Sequence, residues 1–182
     1  MFKLINIHTR DIRTAIAALI MALLMVPVSS SASDDEFLRG IDAYLAGDYE
    51  TAADLFHPLA EQGVADAQFS LGYMYTNGHS VPQDYAEAVK WYRRAAEQGD
   101  ASAQNNLGFM YGSGHGLPQN YVLAHMWYNL AASQGEELSL GSGDGEAGNR
   151  DDIARLMTPA QIAQAQELAA QCLASNYQDC AE

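Results

Sequence analysis

The sequence predicts an all-α protein: an α/α solenoid of stacked helix pairs, closed by a C-terminal capping helix pair. Two observations carry this reading. A 35-residue block occurs twice, 36 positions apart, and Ala65–Gly99 and Ala101–Gly135 agree at 19 of 35 positions. A period of this length marks a stacked repeat array, in which each unit buries its apolar face on its neighbours. Within each block the apolar residues recur at helical spacing on either side of a Gly- and Pro-containing loop. Arrays of this kind mostly present surfaces to partners.

Residues 1–32 read as a secretory signal peptide. Lys3, Arg10 and Arg13 precede the apolar run Ala15–Val28, and Ser30-Ser31-Ala32 is a small-residue cleavage site. The competing expectation is an uncleaved anchor, but the run is short for a bilayer span. Cleavage would leave 6 basic against 22 acidic residues. That balance argues against nucleic acid and against anionic membranes, and it favours and steers a basic protein partner. Solubility alone is the plainer account of the same charge. No stable membrane insertion is expected after cleavage, and the expected location is periplasmic or secreted.

Residues 33–135 form the solenoid, in units of about 37–63, 65–99 and 101–135. The first unit is partly out of phase: Gly40 to Tyr49 spans nine residues where Gly72 to Tyr85 spans thirteen, so its inter-helix loop is shorter. In the second unit Ala67, Leu71, Met74 and Tyr75 form the stripe of a first helix, and Gly78 ends it. Asp84 is an N-cap with Glu87 three positions on as a capping-box partner. Ala88, Trp91, Tyr92, Ala95 and Ala96 then form the stripe of a second helix. Asn120 repeats the cap one unit later. Gly63, Gly99 and Gly135 end the units, where a left-handed C-cap wants no Cβ.

Residues 136–150 read as an acidic, Gly-rich loop and 151–182 as the capping helices. Asp151–Met157 is a short helix, and Thr158-Pro159-Ala160-Gln161 starts a longer one as N-cap, N1 proline and N3 glutamine. In an oxidising compartment Cys172 and Cys180 would pair and tie the tail to the last helix. The alternative is two free thiols, with Cys172 packed on the helix and Cys180 exposed.

These residues resemble the Sel1-like repeat, a relative of the tetratricopeptide repeat. The pattern is carried by Ala65, Ala67, Gln68, Leu71, Gly72, Tyr75, Gly78, Val81, Asp84, Ala88, Trp91, Ala95, Ala96 and Gly99, and by their counterparts from Ala101 to Gly135. Ser80 departs from the pattern at the second loop glycine, and Asn120 at the aspartate. The resemblance implies a protein–protein interaction module with partner-facing residues on the first helix of each unit. Positions that differ between the two copies locate them. Asp66, Phe69, Tyr73, Ser102, Asn105 and Phe109 would face the concave groove, with Phe37, Ile41 and Tyr44 extending it from the first unit. The competing expectation is that Phe69, Tyr73 and Phe109 pack between units.

Relatives with this repeat act as adaptors in envelope assembly, polysaccharide secretion, signalling and host contact. Small exported ones include immunity proteins that neutralise a toxic secreted enzyme, which would make this chain an inhibitor. A cysteine-rich subgroup is β-lactamase-like, but those proteins carry a disulfide in every repeat, and both cysteines here lie outside the repeats. No enzyme activity, cofactor or metal is therefore expected. His79 and His115 repeat with the loops, too far apart to share one ion. His57 and His125 have no evident role. Gly141–Gly145 lacks the lysine of a phosphate loop, and Asp144, Glu146, Asn149, Asp151 and Asp152 lack the spacing of a calcium loop. The oligomeric state is left open.

Overall fold

The computed structural model describes residues 30–134, 146–178 and 180. The regular elements among them are α-helices: α1 (Ser30–Leu45), α2 (Tyr49–Glu61), α3 (Ala65–Asn77), α4 (Tyr85–Ala96), α5 (Ala101–Ser113), α6 (Tyr121–Ser133), α7 (Glu146–Ala154) and α8 (Pro159–Ala174). The expected signal peptide lies almost wholly outside the described residues; its last three residues form the start of α1. Gly135 and most of the expected acidic loop lie outside them too. Two compact units divide the chain, Met1–Glu36 and Phe37–Glu182. Only the beginning of α1 represents the first; the second holds the helix pairs. No described helix is long and apolar enough to cross a membrane.

The helices start and stop where local chemistry dictates. The side chain of Asp84 accepts from the amides of Ala86 and Glu87, Asn120 from Val122 and Leu123, and Asp48 and Asp100 cap α2 and α5. The carboxylate of Glu87 is taken by Lys90 at 2.6 Å, so the cap rests on Asp84. Gly78 and Gly114 close the first helices in left-handed conformation. Thr158 and Gln161 form a full capping box on α8. Both boundaries of one helix differ from the sequence reading of Asp151–Met157: α7 begins at Glu146, inside the expected loop of residues 136–150, and ends at Ala154. Ile153 fills the space beside Gly112 and Ala124, and this contact with α5 and α6 supports a helix that local propensity disfavours.

Helices α2 to α6 pack in chain order, and α6 then receives both α7 and α8. Two apolar clusters result. Phe56, Leu59, Leu71, Met74 and Trp91 lie between α2, α3 and α4. Tyr92, Leu107, Met110, Trp127 and Leu130 lie between α4, α5 and α6, joined by Ala165, Ala169 and Cys172 of α8. Neighbouring residues on α4, Trp91 and Tyr92, thus enter different clusters. A helix buried on two sides in this way is what joins one layer of a solenoid to the next.

Tight crossings keep the pairs in register. Gly40, Gly72 and Gly108 sit under the rings of Phe56, Tyr92 and Tyr128; a Cβ on Gly72 would fall 2.7 Å from Tyr92 Cδ1. With these glycines superposed, α1 is offset from α3 by 32 residues, not 36. The positions that α3 and α5 bury against the preceding unit are Ala67, Gln68, Leu71 and Met74, and Ala103, Gln104, Leu107 and Met110. In α1 the same positions are Asp35, Glu36, Arg39 and Asp42. A charged outer face of this kind is how a repeat array ends.

The buried Gln68 and Gln104 explain the glutamine of the repeat. Each Nε2 donates to a carbonyl at the end of the preceding second helix: Gln68 to Ala60 at 3.0 Å and Gln104 to Ala96 at 3.1 Å. Each Oε1 accepts from the glutamine thirty residues on, Gln98 or Gln134. The Ala60 and Ala96 carbonyls, which also accept from the amides of Gly63 and Gly99, thereby use their second lone pair to tie the next first helix to the end of α2 or α4.

At the other end, Cys172 and Cys180 are joined by a disulfide, with Cα atoms 4.6 Å apart. It closes the turn carrying Tyr177, whose ring lies against Gly99 at the junction of the second and third units.

Candidate functional site

The first helices α1, α3 and α5 each carry one row of exposed or half-buried side chains, at helical spacings of three and four residues. The rows are Leu38, Ile41 and Leu45 on α1; Ser70, Tyr73 and Asn77 on α3; and Asn106, Phe109 and Ser113 on α5. Asp66 and Ser102 stand at the heads of the rows on α3 and α5. Tyr73 is 42 % and Phe109 49 % exposed, large values for aromatic rings; Leu38 and Leu45 reach 59 % and 77 %.

The expected groove residues divide into two groups. Asp66, Tyr73 and Phe109 are exposed, while Ser102 and Asn105 are half-buried. Asn149 of α7 lies 3.5 Å from Asn105 and closes that end of the face. Phe69 is half-buried, its ring 5.8 Å from Tyr92 and packed on the larger core. Phe37, Ile41 and Tyr44 lean on the smaller core, with Phe37 5.5 Å from Phe56. Leu38 and Leu45 are not among the expected groove residues; at the offset set by Gly40 and Gly72 they stand at the places of Ser70 and Asn77.

Histidines hold the exposed rings. His79 stacks on Tyr49 at 4.2 Å with planes nearly parallel, and its Nδ1 is 2.8 Å from the Tyr44 hydroxyl. Tyr73 flanks the same imidazole at 6.4 Å. One unit later His115 stacks on Tyr85 at 4.7 Å, with Phe109 5.7 Å away. In both cases a tyrosine opening a second helix grips the loop histidine of the next unit. Burial, with Tyr73 and Tyr49 nearby, pushes the Tyr44 hydroxyl up to about 12, so it stays protonated and free to donate. These histidines therefore join units. Among the described residues no cluster of His, Cys, Asp or Glu is arranged to hold a metal ion.

Charge is segregated along the array. Helices α3 and α5 carry no Lys or Arg. The cations of the second unit lie on α4: Arg93 donates to Tyr111 Oη at 2.8 Å, and Arg94 lies 4.6 Å over the Trp91 ring. His125 is buried on α6, 2.9 Å from Asn129 Nδ2. Burial and the nearby Arg150 hold its imidazole below the usual histidine range, against a smaller opposing effect of Asp151. The first-helix face thus offers aromatic and aliphatic contact, carboxylates and amide groups, which suit it to binding.

The Sel1 repeat family model matches residues 35–64, 65–100 and 101–136. The chain belongs to the Sel1 repeat family. Among solved structures it is similar to c5321, described as a protective antigen present in uropathogenic Escherichia coli strains and displaying an SLR fold. That likeness has 28 % identity and a TM-score of 0.71, covering 80 % of this chain and 31 % of the other. A Sel1 repeat protein from Oxalobacter formigenes is 34 % identical with a TM-score of 0.56, over 66 % of this chain and 88 % of the other. The chain thus spans about a third of the first of these relatives and most of the second. No curated protein matches it. Sel1 repeat proteins generally mediate protein–protein interactions, and the fold is typically a non-enzymatic scaffold.

Proposed function

We propose that this Sel1 repeat protein is an exported interaction module that binds a basic protein partner on the face of α1, α3 and α5. The observation that carries the reading is the exposure of Tyr73 and Phe109, at matching places on two helices that lack any cation. Partly exposed aromatics amid polar side chains are the usual anchors of protein interfaces. Export is supported by the basic start, apolar run and small-residue site of residues 1–32, and the Cys172–Cys180 bond is compatible with an oxidising compartment. The acidic balance of the chain favours encounter with a cationic surface.

Affinity capture in the exporting organism, with Tyr73→Asp/Phe109→Asp as control, tests the reading. A basic partner lost with the control supports it. One stoichiometric secreted enzyme would define the protein as an inhibitor, and several envelope proteins as an adaptor. Partners retained by the control would move the binding surface elsewhere.

A further inference from the structure

We propose that the disulfide-closed C-terminal turn is a redox-controlled latch on the joint between the second and third units, with Tyr177 as its wedge. Its consequence for binding rests on the first-helix face being the partner surface, and it adds regulation of that face. The repeat supplies its own comparison. Gly63 and Gly99 end successive units with nearly the same left-handed φ, 95° and 90°. Their amides donate to the carbonyls of Ala60 and Ala96 at 3.1 and 3.0 Å, and the next amides, of Val64 and Asp100, to Leu59 and Ala95 at 3.0 and 3.1 Å. The two joints thus share one backbone. Nothing lies within 4 Å of the place a Cβ would take on Gly63, whereas Tyr177 Cε2 lies 3.2 Å from that place on Gly99. Ala101, just beyond, is buried, while its counterpart Ala65 is half-buried. The ring is an addition to the second joint that the repeat itself does not require.

Tyr177 reaches this seat in a conformation that bulky residues avoid. Asn176 and Tyr177 both have positive φ, 53° and 64°; asparagine tolerates this region, tyrosine far less. Such a conformation persists only where its surroundings impose it. Here the Tyr177 amide donates to the Cys172 carbonyl at 2.9 Å, and the Cys172–Cys180 bond closes the turn covalently from its far side. Cys172 is fully buried and Cys180 half-buried, so a reductant meets the bond at Cys180. A thiolate of an external dithiol attacks Cys180 Sγ. The protein S–S bond breaks, and Cys172 leaves as a thiolate that takes up a proton. The second thiol of the reagent displaces Cys180 and closes the reagent's own disulfide, so two electrons and two protons pass from dithiol to protein. With the turn opened, Tyr177 relaxes to an ordinary φ and leaves Gly99. The joint it filled directly precedes α5, which carries Phe109, so the joint's freedom becomes freedom of Phe109 relative to Tyr73. A partner that grips both rings binds the oxidised protein more tightly, because in the reduced protein the two rows must first be ordered.

Residue-resolved amide hydrogen exchange on the full chain, with and without dithiothreitol, tests the latch. In the oxidised protein the Gly99 and Asp100 amides should exchange about ten-fold or more slowly than those of Gly63 and Val64, and reduction should remove that difference. Tyr177→Ala, with the disulfide intact, should show the reduced pattern and be indifferent to the reagent. Equal protection of the two joints before reduction overturns the proposal. So does an equal rise at both joints on reduction, the mark of general loosening, or a Gly99 joint unmoved by Tyr177→Ala. Affinity capture then reads the consequence: Tyr177→Ala should recover several-fold less of the partner that is lost with Tyr73→Asp/Phe109→Asp. Equal recovery overturns the control of the face while the partner face itself stands. If no partner is captured at all, the partner face falls, and the exchange comparison alone decides the latch.

Discussion

Replacing Gly72 with alanine sets two physical effects against each other. In an isolated helix the change stabilises by about 1 kcal/mol, because glycine is the poorer helix former. Here the new methyl carbon would lie 2.7 Å from Tyr92 Cδ1 and 2.8 Å from Cε1, about an ångström inside ordinary carbon–carbon contact. The ring has nowhere to go: Tyr92 is fully buried, Phe69 lies 5.8 Å away, and its hydroxyl is 3.2 Å from Thr76 Oγ1. Relief must come from parting α3 and α4, and overpacking of this kind costs about 1–3 kcal/mol. The overlap approaches the upper end, so the clash wins and the net loss is about 1–2 kcal/mol. For a chain of this size that lowers the midpoint by roughly 2–8 °C. Thermal unfolding followed by far-UV circular dichroism measures it, and a cycle with Tyr92→Leu should shrink the effect, since the smaller side chain leaves room. An increase in midpoint on Gly72→Ala would show that helix propensity outweighs the crossing, and would refute the argument.

Other expectations follow from the same interior. Gln104→Ala should cost about 1–3 kcal/mol, because it removes a fully buried side chain that donates to the Ala96 carbonyl and accepts from Gln134, leaving that carbonyl with the Gly99 amide alone; urea unfolding beside an exposed control, Gln164→Ala, separates this from general truncation. Reducing the Cys172–Cys180 bond should lower stability by about 2–3 kcal/mol through the freed unfolded chain, and Cys180→Ser should make the midpoint insensitive to reductant. His125 binds its proton less readily folded than unfolded. Between its lowered folded value and about 6.5 the unfolded chain therefore holds more protons, and stability falls as the pH drops through that window. Melts at neutral and mildly acidic pH should show a steeper loss for the native protein than for His125→Gln; equal slopes would remove His125 from the account.

Much of this architecture is legible in the sequence, because a repeat reads itself twice. Packing positions such as Leu71 and Leu107 coincide between copies, and cap positions such as Asp84 and Asn120 announce the second helices. The elements that resisted depend on contacts with no local signature. α7 starts at Glu146 because Ile153 finds a seat beside Gly112, a fact visible only after folding. The glutamines at 68 and 104 read as motif letters until their hydrogen bonds join helix ends thirty residues apart. His79 and His115 read as duplicated loop residues, yet each is gripped by a tyrosine of the preceding unit. On the proposed partner face, Tyr73 and Phe109 differ between the two copies, and both are exposed. The exposure of Leu38 and Leu45 has no such signal, because their counterparts at the 32-residue offset, Ser70 and Asn77, are polar and give no hint of an apolar row.

The charged face of α1 bears on how such an array grows. Copying a unit onto that end would press the apolar side of the new second helix against Arg39 and Asp42, burying charges among apolar side chains. At the other end α8 already occupies the surface of α6 on which a fourth unit would be laid. Lengthening by duplication is therefore tolerated only in the middle, where each new copy meets another copy of itself. The strong likeness of the second and third units, and the poorer likeness of the first, is the pattern such interior copying leaves behind.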